Sequence, residues 1–418
     1  MTSLSVFIDI PEASCEKENL LDKAFANDTN ATKVFLGQRV FLSENGHPWV
    51  PRPVQKVCLQ LLNDPTLNYE IEQGLGPSSF IDGASKLVFG RCNIALMENR
   101  VGGIQTLGST GALRVGAEFL VQWYNTNVQK KAVCLMLSTC DEYSQIFKES
   151  GFTDIYPYRF WNRKTRCLSL SDMLEDLKKS PDYSIVFLQI ACCPTGIEIT
   201  NKDWLVIATL MKEKNMFPFF HLKAQGLASG DVDKDVWPIR YFVDEGFELF
   251  CAQSFSTNFG LYGERVGSLL AVLRSNEVLI SVRSQLERIL HVKALEPPAF
   301  GSRLVSTVLN NASYCTQWKE SLKLAVRRLM LIRAKMNERL KVLGSWESWE
   351  HITQQTGPFT YTGLTPARID FLAKEKHIYL KADGSMNITC LNPQNLEYVM
   401  QCILETTHQI PEEDSQSD

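Results

Sequence analysis

The sequence lacks the cysteine and histidine spacings that bind metals, although its 418 residues include 12 cysteines. Neither a C-x-x-C pair nor a His-x-x-x-His pair occurs, which excludes the common zinc and dithiol motifs. Only Cys192 and Cys193 are adjacent, and we interpret them as small buried residues, with redox or metal chemistry as the alternative. We therefore predict no metal site, and we expect most of the thiols to be reduced and buried.

The chain is also short of positive charge and of long apolar runs. Its formal net charge is -4 and its sequence pI is about 6.0, so it has no basic field of the kind that nucleic acids require. No apolar run reaches the ~20 residues of a membrane span, and the N-terminus has no basic region before an apolar core. We predict a cytosolic protein with neither nucleic acid nor a membrane as partner.

What the sequence does contain is a repeated alternation of apolar strand segments with helical stretches. The strand segments are too hydrophobic to have one wet face, which indicates an α/β fold with a mostly parallel sheet covered on both sides. Ligands of such sheets bind at the carboxyl ends of the strands, where Thr110, Cys193, His221 and Ser254 fall. The predicted strands cover residues 100–106, 133–137, 184–191, 217–220, 249–255 and 268–273.

Two turns between these elements have the composition of an anion site. The first, Gly108-Ser109-Thr110, joins a strand to a helix and offers free backbone N–H groups, although a simple N-cap is an equal alternative. The second follows the strand that ends near Ser254, and there Arg265 offers a rigid fork of donors. The two turns together predict a phosphate cradle.

The two ends of the chain flank this sheet region. Residues 1–14 form an apolar arm without helical period, and a proline-rich break follows His47. A helix with a 3.6-residue period covers 310–343, with Gly344 as its C-cap, and we expect its cationic side, which includes Arg328 and Arg333, to face solvent. Short strands and a final helix follow up to residue 410, and we expect the acidic residues 411–418 to be disordered.

The loop at 254–266 resembles the cofactor loop of a known family. It reads Ser-Phe-Ser-Thr-Asn-Phe-Gly-Leu-Tyr-Gly-Glu-Arg-Val, and it is similar to the loop of the aspartate aminotransferase family, which has lysine where this chain has Thr257. Nearly the whole chain shares the resemblance, including residues 100–103, 110–114, 239–243, 245–248 and 375–380.

The resemblance implies the type I transferase fold that depends on pyridoxal phosphate (PLP), with a large mostly parallel-sheet domain and a small α+β domain. It also implies a symmetric homodimer, in which we expect the arm at 1–14 to reach the partner. The break after His47 and the long helix suggest a large domain at 48–325 and a small domain at 15–47 and 326–410.

By this resemblance, the phosphate end of the PLP site is intact. The positions that stand where the family binds the phosphate are Gly108, Ser109, Thr110, Ser254 and Arg265.

The ring end of the PLP site is altered at every position. Thr257 stands where the family has the imine-forming lysine, and His221 where it has the aspartate that keeps the pyridine nitrogen protonated. Ala224 and Cys193 replace the tyrosine and the asparagine that bond the ring oxygen, and Cys140 replaces the tryptophan stacked over the ring.

The substrate positions are altered as well. Ser385 and His291 align with the arginines that clamp the two carboxylates of the substrate, and neither residue makes a bidentate fork. Arg39 stands where the family has a glycine near the substrate, and Ile71 where it has the tyrosine contributed across the dimer.

Three functions follow from these replacements. The family reaction converts L-aspartate and 2-oxoglutarate to oxaloacetate and L-glutamate, and a threonine hydroxyl cannot form the imine that this reaction needs. The first hypothesis, which the residues favour, is a catalytically degenerate pseudoenzyme that retains the fold as a dimeric interaction or structural protein. The second is a weak or altered PLP-dependent aminotransferase in which Lys223, at a position where the family has alanine, supplies the amine. The third is a non-catalytic module that binds phosphate or PLP.

Overall fold

The computed structural model describes residues 5, 7–11, 17–70, 74–125, 131–162, 165–190, 196–294 and 296–411, with the backbone alone at 17–19 and 140–142. The rest of the acidic tail predicted at 411–418 lies outside these ranges. Strands and helices alternate along most of the chain, as the sequence predicts. The strands are β1 (Val34–Phe35), β2 (Val101–Leu107), β3 (Ala132–Met136), β4 (Asp154–Tyr158), β5 (Trp161–Asn162), β6 (Cys167–Leu168), β7 (Ile185–Ile190), β8 (Phe217–Leu222), β9 (Leu249–Ser254), β10 (Val266–Val272), β11 (Phe359–Tyr361), β12 (Ile378–Tyr379) and β13 (Ser385–Asn387).

Helices cover both the long connections and the C-terminal part of the chain. None of the helices in the described ranges is long and apolar enough to cross a membrane. The helices are α1 (Lys17–Asn27), α2 (Arg52–Leu62), α3 (Ser78–Phe89), α4 (Ile94–Met97), α5 (Gly108–Trp123), α6 (Cys140–Ser150), α7 (Leu170–Lys179), α8 (Asn201–Glu213), α9 (Val232–Asp235), α10 (Trp237–Asp244), α11 (Ser256–Phe259), α12 (Asn276–Ala294), α13 (Ala299–Asn310), α14 (Ala312–Val342), α15 (Glu350–Gln354), α16 (Pro366–Lys376) and α17 (Leu396–Gln409).

The central sheet has seven strands in the order β2-β10-β9-β8-β7-β3-β4, which confirms the predicted mostly parallel sheet. Only β10 runs antiparallel to its two neighbours, because the loop that joins it to β9 is too short for the crossover that a parallel pair needs. The sequence pattern did not reveal β4, an edge strand whose side chains are mostly half-buried and which contains Pro157. A proline is tolerated there because an edge strand has unpaired N–H groups.

Both faces of the sheet are covered by apolar side chains. Along β7 and β8, Leu188 and Phe220 pack on one face, and Phe187 and Phe219 pack on the other. Successive residues of a strand point to opposite faces, so continuous apolar runs are required where both faces are buried. This two-sided burial fixes the positions of the strand ends, where the predicted site residues lie.

The long helix α14 follows the predicted 3.6-residue period, with Trp318 and Met336 on its buried side. Gly344 has a φ of 82° just after the helix, as its predicted capping role requires. The prediction of a solvated cationic side is wrong for two arginines. Arg333 is 2% exposed, and the half-buried Arg328 donates to the carbonyl of Thr389 at 3.2 Å. Each guanidinium binds backbone carbonyls of neighbouring loops, which helical periodicity alone does not reveal.

The two ends of the chain are joined by a parallel pair between β1 and β12, with Val34 opposite Ile378. Asp28 strengthens the junction, because its Oδ2 accepts hydrogen bonds from the ring of His377 and from the hydroxyl of Tyr379, each at 2.8 Å. This pairing agrees with a small domain built from both ends. Its bounds at 15–47 and 326–410, and the 48–325 bounds of the large domain, stay a prediction.

Candidate functional site

A cleft of about 310 Å³, here called the central cleft, opens where β2, β8 and β9 end. It brings together residues of the cofactor loop, of the turn that opens α5, and of the segments near β1 and β13. Among the predicted site residues, those that line the central cleft are Arg39, Ser109, Thr110, Ala224, Ser254, Thr257, Arg265 and Ser385.

One side of the central cleft has the features of an anion site. Gly108 has a φ of 66° and starts α5, and a Cβ built on it would lie only 3.3 Å from Nη2 of Arg265. Any larger residue would therefore be strained and would crowd the guanidinium. Ser254 is buried, and its Oγ accepts a hydrogen bond from the N–H of Ser256 at 3.2 Å. The exposed side chain of Arg265 donates to none of the atoms in the described ranges, so its fork is available to an anion.

The buried His221 lies beside this anion site. Its Nε2 is 3.0 Å from Oγ of Ser109, and its ring stacks on Phe187 with the centroids 5.6 Å apart. Burial, with a smaller contribution from the charge of Lys223, lowers the pKa of His221 from 6.5 to about 3. Its Nδ1 has no hydrogen-bond partner among the described atoms. The imidazole is therefore neutral near pH 7, and it cannot supply the negative charge that stabilises a protonated pyridine ring.

Lys223 follows directly after β8 and is half-buried in the lining of the central cleft. Its Nζ is 3.4 Å from the hydroxyl of Tyr143. The neighbouring Ala224 is buried and has no side-chain group to bond a ring oxygen. Lys223 is therefore an amine within the site, held near an aromatic hydroxyl.

The loop that presents Thr257 is held by buried contacts. Asn258 donates from Nδ2 to the carbonyl of Gln225 at 3.1 Å and accepts from Nε1 of Trp318 at 2.8 Å. Gly260 ends the loop with a φ of 72°, and a Cβ on it would lie 2.5 Å from the carbonyl oxygen of Trp49. The short helix α11 is thus fixed, and it places a hydroxyl rather than an amine in the central cleft.

Another side of the central cleft is formed by segments near β1 and β13. Ser385 is buried, and its Oγ donates to Oδ1 of Asp383 at 2.7 Å. Arg39 is exposed, and Nδ2 of Asn387 donates to the carbonyls of the residues on either side of it at 2.8 and 2.9 Å. Lys381, which sequence reasoning missed, also lines the cleft, and its Nζ lies 5.4 Å from the ring centroid of Phe359. The signal that could have revealed Lys381 is that it is a cation only four residues before Ser385, a predicted substrate position.

The remaining predicted residues are not in this lining. His291 is exposed on α12, where its Nδ1 lies 3.3 Å from Glu296 Oε1 beside a separate depression. Ile71 and Cys193 lie outside the described residues, as does the side chain of Cys140, whose backbone starts α6. Within one chain, the structure therefore brings together the predicted phosphate positions and Thr257, but not His291, the position predicted to align with the distal carboxylate clamp.

Fold and sequence together define the class of this protein. The family model for aminotransferases of class I and II matches residues 44–403, so the chain belongs to this family. It is 42% identical over 409 residues to the cytoplasmic aspartate aminotransferase of Gallus gallus, covering 97% of this chain and 99% of that protein. It is 41% identical over 407 residues to the Mus musculus protein named "Putative aspartate aminotransferase, cytoplasmic 2", covering 97% and 98% of the two chains.

Solved structures of the same family superimpose over nearly the whole chain. The cytoplasmic aspartate aminotransferase of Saccharomyces cerevisiae matches with a TM-score of 0.92 and 32% identity, covering 97% of this chain and 99% of that one. An aromatic-amino-acid aminotransferase of Burkholderia pseudomallei, solved with PLP covalently bound, matches with a TM-score of 0.91 and 29% identity, covering 96% and 100%. The fold is thus that of the type I PLP-dependent transferases, as the sequence predicts.

Proposed function

We propose that this protein is an aspartate aminotransferase-like protein that binds PLP non-covalently and is catalytically degenerate. The observation that carries the proposal is the position of Thr257 in the central cleft, on the loop whose lysine forms the imine in the family. The proposal has two parts, namely retention of the phosphate and loss of the covalent chemistry.

The phosphate part is supported by the chemistry of the residues present. The start of α5, the hydroxyls of Ser254 and Thr110, and the guanidinium of Arg265 are the donors that a phosphate dianion requires. Gly108 has no Cβ, which leaves room beside Arg265 that a larger residue would occupy. These residues would hold the phosphate of PLP.

The ring part of the site does not fit catalysis. When bound, PLP supplies an electron sink for bonds at the Cα of an amino acid, and its use requires an enzyme amine and a stabilised pyridinium. Thr257 offers no amine, and the neutral His221 offers no negative charge. We include Ala224, Cys193 and Cys140 in the same proposal, as positions at which the family's contacts to the ring are missing.

A second candidate function is supported by one observation. Lys223 lines the central cleft, so its amine is close enough to the site to replace the missing lysine in a weak or altered aminotransferase. Its Nζ is directed to the hydroxyl of Tyr143, 3.4 Å away, and its charge adds to the forces that keep His221 neutral. We favour the degenerate function because Lys223 follows β8, whereas the imine-forming lysine of the family belongs to the loop between β9 and β10.

The absorbance spectrum of the purified protein with PLP, before and after borohydride, tests both candidates. We expect the spectrum of the free aldehyde, release of PLP on dialysis, and no mass increase after reduction. A reduced adduct that Lys223→Ala abolishes and that Lys381→Ala retains would establish the second candidate, because both lysines line the cleft. Absence of any PLP binding would overturn the non-covalent function.

The relatives also bear on location and assembly. The avian and murine relatives are both named cytoplasmic, and we propose the same location for this chain. We further propose a homodimer, since Phe7, Ile8 and Ile10 of the arm are 69%, 61% and 66% exposed in the single chain. Apolar side chains clustered at such exposure are typical of a surface that a partner covers.

A further inference from the structure

The central cleft is lined by charges of one sign. Four cationic residues are in its lining, namely Arg39, Lys223, Arg265 and Lys381. Aspartate and glutamate are both absent from the described lining. A concave site with four cations and low-dielectric walls concentrates anions. The phosphate of PLP alone does not require all four of these cations.

Two of the four cations lie on the side formed by the chain ends. The N–H of Lys381 donates to the carbonyl of Ser385 at 3.1 Å, so the turn between them brings Lys381 back beside Ser385. Asn387, two residues further, clamps the peptide groups on both sides of Arg39 through its Nδ2. Arg39 and Lys381 are therefore attached by backbone contacts to the strand β13 that contains Ser385, whereas Arg265 belongs to the loop before β10.

The hydrogen-bond donors of Ser385 are already used within the protein. Ser385 is 2% exposed, and its N–H and its Oγ both donate to Oδ1 of Asp383. Asp383 is exposed and is not in the lining of the cleft. The only charges that this side presents to the cleft lining, within the described residues, are those of Arg39 and Lys381.

We propose that Arg39 and Lys381 form a carboxylate subsite, which holds the acidic group of a ligand whose phosphate lies against Ser254 and Arg265. The proposal rests on the proposed function for its phosphate end. It gives the ligand a chemical class: a small phosphate ester that also carries a carboxylate, bound without a covalent bond. The guanidinium supplies paired donors to the carboxylate and the ammonium supplies a point charge.

Two probes that differ by one carboxymethyl group test this subsite. Pyridoxamine 5′-phosphate carries the phosphate alone, and N-(5′-phosphopyridoxyl)glycine carries the same phosphate and ring with an added carboxylate. Calorimetric titration of the full chain should show about tenfold tighter binding of the glycine adduct, the size expected for a charge-assisted pair in a partly exposed site. Arg39→Ala and Lys381→Ala should each remove most of this difference and lower the affinity for pyridoxamine 5′-phosphate by a much smaller factor.

Further variants separate the subsite from a general effect of charge. Arg39→Lys should retain part of the preference, and Lys335→Ala, at an exposed position of α14, should retain all of it. Equal affinity for both probes, or an equal loss for both in Arg39→Ala, would overturn the carboxylate subsite while leaving the proposed function standing. Failure of both probes to bind the folded wild-type chain would overturn the subsite and the proposed function together.

Discussion

Single side chains around the central cleft are held in place by hydrogen bonds. His221 is bonded to Ser109, Thr257 lies on a loop held by Asn258, and Ser385 is bonded to Asp383. These bonds satisfy some of the polar groups around the cleft, whereas Nδ1 of His221 has no partner among the described atoms. Such bonds agree with the proposed function, in which no covalent bond to a cofactor forms.

A first prediction at this scale concerns Thr257. Thr257→Lys alone should not restore aspartate transamination, because in the proposed function the contacts to the ring and to the substrate carboxylates are missing as well. Thr257→Lys with Lys223→Ala should retain PLP better than Thr257→Lys alone. The side chain of Lys223 stands where the family has the methyl group of an alanine, and such overpacking of a site typically costs ~1 to 3 kcal/mol. Equilibrium dialysis measures retention, and a coupled oxaloacetate assay measures turnover.

The control for the Thr257 series adds Ser385→Arg and His291→Arg. Turnover with aspartate and 2-oxoglutarate should become measurable only in the variant that carries these arginines as well. Turnover by the unmodified chain that Lys223→Ala abolishes would contradict the degenerate function.

A second prediction concerns the acid stability that follows from His221. Its pKa falls from 6.5 to about 3 on folding, so the unfolded chain binds more protons between these values and stability decreases as the pH falls through this range. Between about pH 7 and about pH 5, one such histidine contributes a loss of about 2 kcal/mol. His221→Gln should reduce the acid loss of unfolding free energy by that amount, as measured by urea unfolding at each pH.

A parallel variant checks the sign of this effect. His351 is half-buried, and desolvation together with the charge of Arg166 lowers its pKa to about 4. His351→Gln should therefore reduce the acid loss in the same direction. A His221→Gln variant with the same pH profile as the wild type would show that the pKa of His221 does not fall on folding.

At the scale of elements, the helix α14 connects the cofactor loop to the C-terminal segments. Near its start, Trp318 donates to the carbonyl of Asn258 in the cofactor loop. Further along, the buried Arg333 donates to the carbonyls of Ile352, Thr356, Gly357 and Phe359 at 2.7 to 3.1 Å. One rigid helix thus holds the cofactor loop and the segment before β11, both of which contribute to the central cleft.

The third prediction concerns this arginine. Arg333→Ala should lower the free energy of unfolding by about 2 to 4 kcal/mol, because several buried carbonyls lose their donor at once. Arg333→Lys should have an intermediate effect, since an ammonium cannot reach all of the same carbonyls. Urea unfolding gives the measurement, and the exposed Lys335→Ala on the same helix should change stability by no more than about 0.5 kcal/mol. Equal stability of the two alanine variants would contradict the structural role.

At the scale of the whole molecule, a single chain leaves apolar surface uncovered. Besides the arm, Tyr69 is 83% exposed and lies next to a depression formed with Pro298 and Phe300. Such surface costs free energy in water in proportion to its area, and association of two chains removes it. The homodimer and the reach of the arm to the partner stay predictions of this kind.

The fourth prediction is that removal of residues 1–14 weakens the dimer. Burial of a large apolar side chain contributes ~1.5 to 3 kcal/mol, so loss of the arm should raise the dimer dissociation constant at least about tenfold. Sedimentation velocity over a range of micromolar concentrations measures this, and removal of residues 411–418 is the matched control that should have no effect. A wild-type chain that sediments as a monomer at these concentrations would contradict the homodimer.

Much of the fold could be determined from the sequence, because its signals are local. Apolar runs bounded by turn residues located the strands β3, β7, β8 and β9, and a 3.6-residue period located α14. The prediction that Thr257 stands at the position of the imine-forming lysine also comes from the sequence, from the residues that surround it. Such signals depend on neighbours in the chain, which a single sequence displays directly.

Only the tertiary structure decided which distant residues meet. The bond of His221 to Ser109, the burial of Arg333 among carbonyls, and the position of Lys381 in the central cleft each join parts of the chain that are far apart or folded back. A periodic pattern shows which face of an element is apolar, but the partner of a polar side chain depends on which loop is packed above it. That partner is set by the topology of the sheet and by the pairing of the two chain ends, and neither is a local property.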